Sequence, residues 1–291
     1  MSPPPVQSAG PWVQAWRRLR RNRAAMTGAA LLIAMVIACF LVPWWLGLDP
    51  TTTAPGQRSL PPSWAHGFGT DPLGRDMLAR VLVGGRVSLL IGLAATAASV
   101  VIGVLYGGLA GFYGGRVDEA MMRIVDFLYG IPYMFLVILV MLMFSETARG
   151  EALPVFLALG LVQWLTMARI VRGQVLGLRE QDYVLAARVV GARDLRILVR
   201  HILPNVMGPV VVYATLTVPT IILLESFLSF LGLGVELSWG QLVAEGVAVV
   251  NPIESPWWLL ACPSAFLATT LFALNFLGDG LRDALDPKSG A

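Results

Sequence analysis

The chain has 291 residues, of which 56% are hydrophobic and only 13% are charged, and its mean hydropathy is +0.71. Because water-soluble domains carry about a quarter charged residues, this composition excludes an ordinary soluble enzyme and favours an all-α membrane protein surrounded by lipid. The formal net charge of +3 is too small to indicate a nucleic acid partner.

The N-terminal part divides into a tail, a span and a loop. Residues 1–25 are rich in proline and then in arginine, and we expect them to form a cytoplasmic tail. Residues 26–45 carry no charge and are long enough for a first transmembrane helix. A cleaved signal peptide is the alternative, but its apolar core is typically shorter and precedes a soluble domain. Residues 46–86 are polar and rich in proline and glycine, which predicts an external loop.

Further apolar stretches follow that loop. They lie at 87–110, 121–144, 153–171, 206–233 and 257–278. Together with the first span they predict six transmembrane helices, which place both chain ends on the same side of the membrane. We assign residues 87–282 to one helical membrane core and 283–291 to a C-terminal tail.

The distribution of positive charge predicts the orientation. If the N-terminus is cytoplasmic, most of the 21 lysine and arginine residues fall in inner segments, with a dense group between positions 169 and 200. The loop 234–256 contains glutamates and no positive residue. Because cytoplasmic loops are enriched in lysine and arginine, we predict that both termini and the segment 180–204 are cytoplasmic.

Small residues recur at every fourth position along the second apolar stretch and just beyond it. They are Gly103, Gly107, Gly111 and Gly115. This spacing lets a neighbouring helix approach closely, and we interpret it as tight packing within the bundle.

The sequence contains no arrangement typical of catalysis or nucleotide binding. It has neither an HExxH motif nor a plausible serine–histidine–aspartate set. Its only lysine, Lys288, follows Pro287, whereas a phosphate-binding loop needs a glycine directly before the lysine. We therefore expect no catalytic or cofactor site in this chain, and we expect ATP and Mg to be bound by partner subunits.

A metal site or a disulfide is also not indicated. Cys39 and Cys262 lie in apolar segments, where we expect them to be small buried side chains. His66 and His201 lie far apart and have no cysteine, histidine or carboxylate neighbours at metal-ligand spacing.

Charged residues within the spans are few. Glu225 lies inside the fifth apolar stretch, where it either lines a translocation pathway or bonds to a hydroxyl such as that of Ser226 or Ser229, and the sequence leaves both interpretations open. Arg123 and Asp126 are three residues apart at the inner end of the third stretch. Their spacing favours an ion pair on one helix face over a role in the pathway.

Residues 180–204, which we call the island, are too charged to span a bilayer yet lie between apolar stretches. Apolar residues recur there at i, i+3, i+4 and i+7 in each half: Tyr183, Ala186, Ala187 and Val190, then Leu195, Leu198, Val199 and Ile202. The pattern predicts two short amphipathic helices. Gly191 accommodates the left-handed backbone that ends the first helix, and Pro204 is expected to end the second. Such a shape is suited to docking into a groove of a partner.

The island resembles the EAA loop of binding-protein-dependent ABC importer permeases. In that family Glu-Ala-Ala precedes a glycine and a run ending in Leu-Pro; here Leu185-Ala186-Ala187 precedes Gly191 and RHILPN at 200–205. Other motifs are similar to the peptide-importer branch and occur in its order: GTDPLGRD (69–76), GGRVSL (84–89), GFYGGRVD (111–118), ESFLSFLGLG (225–234) and GDGLRDALDP (278–287). The resemblance covers about residues 15–287.

The resemblance implies a non-catalytic permease subunit with a type I (MetI-like) core at 87–282, located in the bacterial cytoplasmic (inner) membrane. It also implies a heterodimer with a second homologous permease, two cytoplasmic ABC ATPase subunits and an extracytoplasmic substrate-binding protein. The island would contain the coupling helix that sits in a cleft of an ATPase. The implied substrate is a short peptide, and nickel or glutathione is the alternative cargo within the same class.

The positions at which we expect coupling to the ATPase are Leu185, Ala186, Ala187, Arg188, Gly191, Asp194, His201 and Pro204. Leu185 replaces the glutamate of the family, so the contact is either apolar or receives its polar part from Arg188 and Asp194. Arg193 stands where the family often has a serine or threonine, and we expect Asp194 to cap the second helix instead.

Two other classes compete with this interpretation. An ion-coupled secondary transporter needs no ATPase, but it favours several buried carboxylates near the middle of the membrane and a detectable internal repeat. A membrane scaffold without transport activity explains the packing motifs but not the ordered set of peptide-importer motifs.

Overall fold

The computed structural model of the protein describes residues 11–144, 152–249 and 255–286, and the regular elements in these ranges are helical. The helices are α1 (Pro11–Arg21), α2 (Arg23–Phe40), α3 (Val42–Leu46), α4 (Met77–Tyr113), α5 (Gly115–Gly130), α6 (Tyr133–Phe144), α7 (Ala152–Leu178), α8 (Asp182–Val189), α9 (Asp194–Ile197), α10 (Leu203–Phe230), α11 (Trp239–Val249) and α12 (Trp257–Leu285). A π-helical segment, Leu198–Ile202, joins α9 to α10. The all-α prediction is confirmed.

Within the described ranges, five helical segments are long and apolar enough to cross a membrane. They are Arg23–Leu46, Met77–Tyr113, Ala152–Leu178, Asp194–Phe230 and Trp257–Leu285. A sixth crossing is added if α5 and α6, which are bent by 88° against each other, are counted as one broken span. The six predicted spans correspond to these five segments and the bent pair.

The second span begins earlier than the sequence indicated. Its helix α4 starts at Met77, inside the segment 46–86 that we predicted to be a loop. Asp76 has an extended backbone, and its side chain accepts a hydrogen bond from the backbone N–H of Ala79 at 3.0 Å, which is the geometry of an N-cap. This cap starts the helix among polar residues, before the apolar stretch on which the prediction depended.

The third apolar stretch does not form one straight span. Helix α5 ends at Gly130 and α6 begins at Tyr133. Ile131 between them is extended (φ −86°, ψ 128°), because the ring of Pro132 disfavours helical backbone at the preceding residue. The predicted stretch 121–144 is therefore divided between the end of α5 and the whole of α6.

The glycines of α4 let α7 approach so closely that the backbones of the two helices are in contact. A Cβ atom on Gly107 would lie 2.2 Å from the carbonyl oxygen of Ala168, and one on Gly111 would lie 2.8 Å from that of Arg172. On Gly103, a Cβ atom would meet the side chain of Met167 at 2.5 Å. Only hydrogen atoms fit at these three places, so the prediction of close helix packing is confirmed for Gly103, Gly107 and Gly111. It is wrong for Gly115, which begins α5 and where a Cβ atom would meet nothing within 4 Å.

The two cysteines are free thiols: Cys39 is fully buried and Cys262 is half-buried. His66 lies beside a carboxylate of the same loop, with its Nδ1 3.0 Å from Oδ2 of Asp76. In the part of the chain that the structure describes, no group of three or more histidine, cysteine or carboxylate side chains is arranged to hold a metal ion.

We predict that Gly107→Ala destabilises the protein by about 1–3 kcal/mol, because the added methyl group overpacks the contact between α4 and α7. Gly173→Ala is the matched control, since a Cβ atom there meets nothing within 4 Å. The measurement is the thermal unfolding midpoint of each variant in the same mild detergent. An equal midpoint for the two variants would contradict the account of this helix contact.

Candidate functional site: the helix–glycine–helix island

The first helix of the island ends in a complete glycine cap. Gly191 has a left-handed backbone with φ +85°. Its N–H donates to the carbonyl of Arg188 at 2.9 Å, and the N–H of Ala192 donates to that of Ala187 at 3.0 Å. These are the two bonds of a Schellman motif, which reverses the chain after α8 and satisfies the carbonyls at the helix end. The predicted role of Gly191 in the backbone is confirmed.

The second helix of the island does not end at Pro204. The helical chain continues from Asp194 through the π-helical segment into α10 and reaches Phe230. Proline lacks an N–H and its ring clashes with the carbonyl four residues earlier. The wider π turn accommodates this clash, with the N–H of Leu203 bonded to the carbonyl of Leu198. The expectation that Pro204 ends the helix is therefore wrong, and the island is continuous with the fifth span.

The start of the second helix also differs from the prediction. Arg193 is the N-cap residue, with extended backbone (φ −67°, ψ 145°), and no side chain caps the helix. Asp194 is the first helical residue rather than the cap. Its carboxylate lies in the first turn, where negative charge interacts favourably with the helix dipole. The expected cap by Asp194 is wrong, because its backbone has already entered the helix.

The apolar side chains that fasten the island to the membrane helices form one buried group. Val184, Ile197 and Ile202 are fully buried, and they pack with Phe112 of α4 and Val175 of α7. Asn205 adds a polar link, because its Nδ2 lies 2.7 Å from the carbonyl of His201 and 3.4 Å from the hydroxyl of Tyr183. The island is thus packed against the ends of two spans rather than tethered by loops.

A second group of apolar side chains on the island is exposed. Val189 and Val190 are 88% and 87% exposed, and Leu195 is 70% exposed. The remaining large members are Tyr183, Leu185 and Val199. Of the periodic apolar positions, Leu198 and Ile202 are buried, whereas Tyr183, Val190, Leu195 and Val199 belong to this exposed group. We call this group the exposed apolar surface.

The remaining predicted coupling positions surround this surface. Ala186, Arg188, Asp194 and Pro204 are exposed, and Ala187 and His201 are half-buried. The guanidinium carbon of Arg188 lies 5.7 Å from the centre of the Phe112 ring, so this side chain reaches back to α4. The structure brings all eight positions together on one compact segment, while their role in coupling stays a prediction.

Two arginines, Arg172 of α7 and Arg179 just beyond its end, join this helix to its neighbours. Arg172 forms a bidentate ion pair with Asp118 of α5, with Nε–Oδ1 and Nη2–Oδ2 distances of 2.5 and 2.6 Å. Arg179 donates from Nη1 to the carbonyl of Gly111 in α4 at 3.2 Å. Asp118 is largely buried, so the pair is worth more than an exposed one.

Asp126 pairs with a different arginine from the one that its spacing indicated. Its Oδ1 lies 2.6 Å from Nη2 of Arg169 on α7, and this guanidinium also lies over the ring of Tyr129, 3.9 Å from its centre. Arg123 is exposed on α5 and lines a shallow groove with Arg116. The predicted Arg123–Asp126 pair is wrong, because the carboxylate interacts with the neighbouring helix rather than with its own.

Sequence reasoning missed the ion pairs between α5 and α7. A signal was available, since Arg169 and Arg172 lie three residues apart and therefore share one face of a helix. The identity of the partners depends on which helix packs against that face. Spacing within one helix does not contain this information.

Glu225 lies in α10, and its side chain is buried in the helix bundle. Its side chain is 0% exposed, and its Oε1 accepts a hydrogen bond from the hydroxyl of Ser229 at 3.0 Å. Ser226, the other hydroxyl considered, donates to the carbonyl of Ile222 instead. Among the described residues Oε2 of Glu225 has no hydrogen-bond partner. The structure thus contains the contact of the hydroxyl-partner interpretation, and a role of Glu225 in the pathway stays a prediction.

Family models match two parts of the chain. Residues 99–290 match the family described as binding-protein-dependent transport system inner membrane component. Residues 10–62 match the N-terminal TM domain of oligopeptide transport permease C.

Curated relatives are similar over almost the whole of both chains. The dipeptide transport system permease protein DppC of Bacillus subtilis (strain 168) is 45% identical, over 94% of this chain and 85% of the relative. The oligopeptide transport system permease protein OppC of Escherichia coli (strain K12) is 47% identical, over 97% and 93%. Among solved structures, a chain of the inward-facing MetNI methionine ABC transporter matches with a TM-score of 0.56 at 18% identity, covering 72% of this chain and 98% of that chain. This last match supports the fold alone.

We predict that Asp118→Ala lowers the stability of the protein by about 2 kcal/mol, since it removes two charge-assisted hydrogen bonds at a largely buried site. Asp126→Ala is the matched control, because it breaks an exposed pair on the same helix and costs less than about 1 kcal/mol. Thermal unfolding in mild detergent measures both. A larger loss of stability for Asp126→Ala than for Asp118→Ala would contradict the greater weight given to the buried pair.

Proposed function

The chain belongs to the family of binding-protein-dependent transport system inner membrane components, and on that premise we propose that it is the permease subunit through which an ABC importer moves short peptides. It is a multi-pass component of the inner membrane. The observation that carries the peptide assignment is the similarity, at 45% and 47% identity over nearly full length, to permeases named for dipeptide and oligopeptide transport.

Transport in this proposal is driven by partners. The permease forms a heterodimer with a second homologous permease, two cytoplasmic ATPase subunits hydrolyse ATP, and an extracytoplasmic binding protein delivers the peptide. The chain binds neither ATP nor Mg itself, in keeping with the proline before its single lysine. Both termini and the island face the cytoplasm, which is supported by the concentration of arginine in those segments.

The exposed apolar surface is the docking site for an ATPase subunit. Exposed apolar groups of this kind mark interaction sites, because leaving them in water costs free energy that burial recovers. Leu185, which replaces the family's glutamate, belongs to this surface and is 46% exposed. We therefore assign an apolar contact to this position, with Arg188 and Asp194 at its polar border.

Coupling then works through the rigid connection of the island to the spans. The buried group of the island moves together with α7 and α10, so a displacement of the ATPase dimer changes the tilt of two transmembrane helices. Such a device alternates access only if the docked partner has different contact free energies in the two states. The ion pairs of α7 extend the same movement to α5.

Two alternatives to peptide import differ in what they predict. For nickel as the cargo, the described residues contain no metal-binding cluster, so selection of nickel would depend on the binding protein. An ion-coupled carrier that works without ATPases is less well supported, because it favours several buried carboxylates near the middle of the membrane. The buried carboxylates of the described spans are Glu225 of α10 and Asp118 of α5, and Asp118 is already paired with Arg172.

The function is tested by purifying the chain with its native partners in mild detergent and reconstituting the complex with its binding protein. We predict ATP-dependent uptake of a labelled dipeptide or oligopeptide into the vesicles. Uptake of glutathione or nickel in preference to peptide would show that the proposed peptide substrate is wrong. Recovery of the chain without any ATPase, together with ATP-independent transport, would contradict the importer.

We predict that Gly191→Pro uncouples ATP hydrolysis from uptake while the protein remains in the membrane. Proline fixes φ near −65°, which is incompatible with the observed +85°, and it removes the N–H that donates to Arg188. Gly191→Ala is the control, because it keeps that N–H and adds strain of only about 1–2 kcal/mol. The measurement is peptide uptake per ATP hydrolysed. Normal uptake by Gly191→Pro would contradict the role of the glycine cap.

A further inference from the structure

Helix α1 has an exposed face that combines apolar and basic side chains. Its buried face consists of Ala15 and Leu19, which pack against the last turns of α12. Val13 and Trp16 are exposed on the opposite side of the helix, and so are Arg17 and Arg20. These four residues are spaced by three or four positions and therefore share one face.

The position of this face relative to the membrane is constrained by the chain itself. Helix α1 ends at Arg21, α2 begins at Arg23, and only Asn22 lies between them. Since α2 starts the first membrane-spanning segment, α1 is held at the membrane surface. The side chain of Asn22 accepts a hydrogen bond from the backbone N–H of Ala25 at 3.2 Å, which caps α2 and keeps this corner short.

The charge of the segment is uniformly positive. Between residues 11 and 27 the sequence has five arginines and no acidic residue. Arg17, Arg20, Arg21 and Arg23 are exposed, and none of them forms an ion pair with another described residue. The guanidinium of Arg20 lies 4.7 Å from the centre of the Trp16 ring, which places a cation directly beside an interfacial aromatic side chain.

We propose that the exposed face of α1 binds the anionic phosphate headgroups of inner-leaflet phospholipids, with Val13 and Trp16 at the acyl boundary and Arg17 and Arg20 on the phosphates. A helix with apolar and aromatic groups beside arginines has the composition of an interfacial membrane helix. Each basic residue near an anionic bilayer contributes attraction that neutral lipid does not supply. This inference rests on the cytoplasmic N-terminus of the proposed function.

Binding at this face also fixes the end of the last span. Ala15 and Leu19 pack with Leu281, Ala284 and Leu285, and Nη1 of Arg18 donates to the carbonyl of Asp286 at 3.1 Å. Closer to the membrane, a Cβ atom on Gly280 would lie 2.2 Å from the Cβ atom of Ala25. An α1 held by lipid therefore restrains the inner end of α12 through direct contact.

The test uses the complete transporter in nanodiscs of phosphatidylcholine with increasing amounts of phosphatidylglycerol. Trp16 emission is isolated as the difference between the parent and Trp16→Phe. Phosphatidylglycerol with a spin label near its headgroup is expected to quench this emission at low mole fraction, and equally labelled phosphatidylcholine is not. Equal quenching by the two lipids would overturn the proposal. An absence of quenching by either lipid, because an ATPase subunit covers Trp16, would overturn it too.

The variant Arg17→Gln/Arg20→Gln is expected to weaken the apparent affinity for phosphatidylglycerol roughly 30-fold at low salt. This factor corresponds to the loss of about 1 kcal/mol of attraction for each of the two arginines. Arg17→Lys/Arg20→Lys keeps the charge and should retain most of the affinity. Arg116→Gln/Arg123→Gln removes the same charge from exposed sites on α5 and should leave the Trp16 signal unchanged. Loss of affinity only in the α5 variant would overturn the assignment.

The side of the membrane is measured separately, by modification of Arg21→Cys in a chain whose two native cysteines are replaced, with membrane-impermeant thiol reagents. Labelling from the cytoplasm together with a preference for phosphatidylglycerol supports the proposal. Labelling from the cytoplasm without that preference overturns the lipid site and leaves the importer standing. Labelling from outside contradicts both the lipid site and the proposed orientation.

Discussion

The connection between the island and the membrane depends on one helical rod that runs without interruption from Asp194 in the island to Phe230 at the other end of the fifth span. Proline normally breaks such a rod, because it removes a hydrogen bond and clashes with the preceding turn. Here the π-helical segment Leu198–Ile202 widens the helix just before Pro204 and preserves continuity. A force applied to the island therefore reaches the membrane through hydrogen-bonded backbone rather than through a flexible loop.

The island combines two apolar groups with opposite surroundings. Its buried group is packed against α4 and α7, while the exposed apolar surface has valines that are almost fully open. The first group makes the island part of the membrane domain, and the second presents the apolar side chains that the proposed docking of an ATPase would cover. This division is what a transmitting element requires, because it must be rigid towards the spans and adhesive towards a partner.

Local signals in the sequence predicted the parts of this arrangement that depend on one residue type or one stretch. Apolar length predicted the spans, Gly191 predicted the reversal, and the glycines of α4 predicted a close helix contact. The same local reasoning failed where a second element decides the outcome. Pro204 was expected to end a helix that the π turn continues, and Asp126 was expected to pair within α5 although Arg169 of α7 is its partner. Helical periodicity marked Val190 and Leu195 as apolar positions, but it does not show which of these positions the bundle covers, and both are exposed.

The most direct measurement is photocrosslinking from position 189 of the intact transporter in native membranes, with a photoreactive amino acid in place of Val189. That side chain is 88% exposed in the isolated chain. The account predicts crosslinks to an ATPase subunit, identified by mass spectrometry, with a yield that changes when ATP is added. Crosslinks only to lipid or to the partner permease, with no ATPase peptide in either nucleotide state, would contradict docking through the exposed apolar surface.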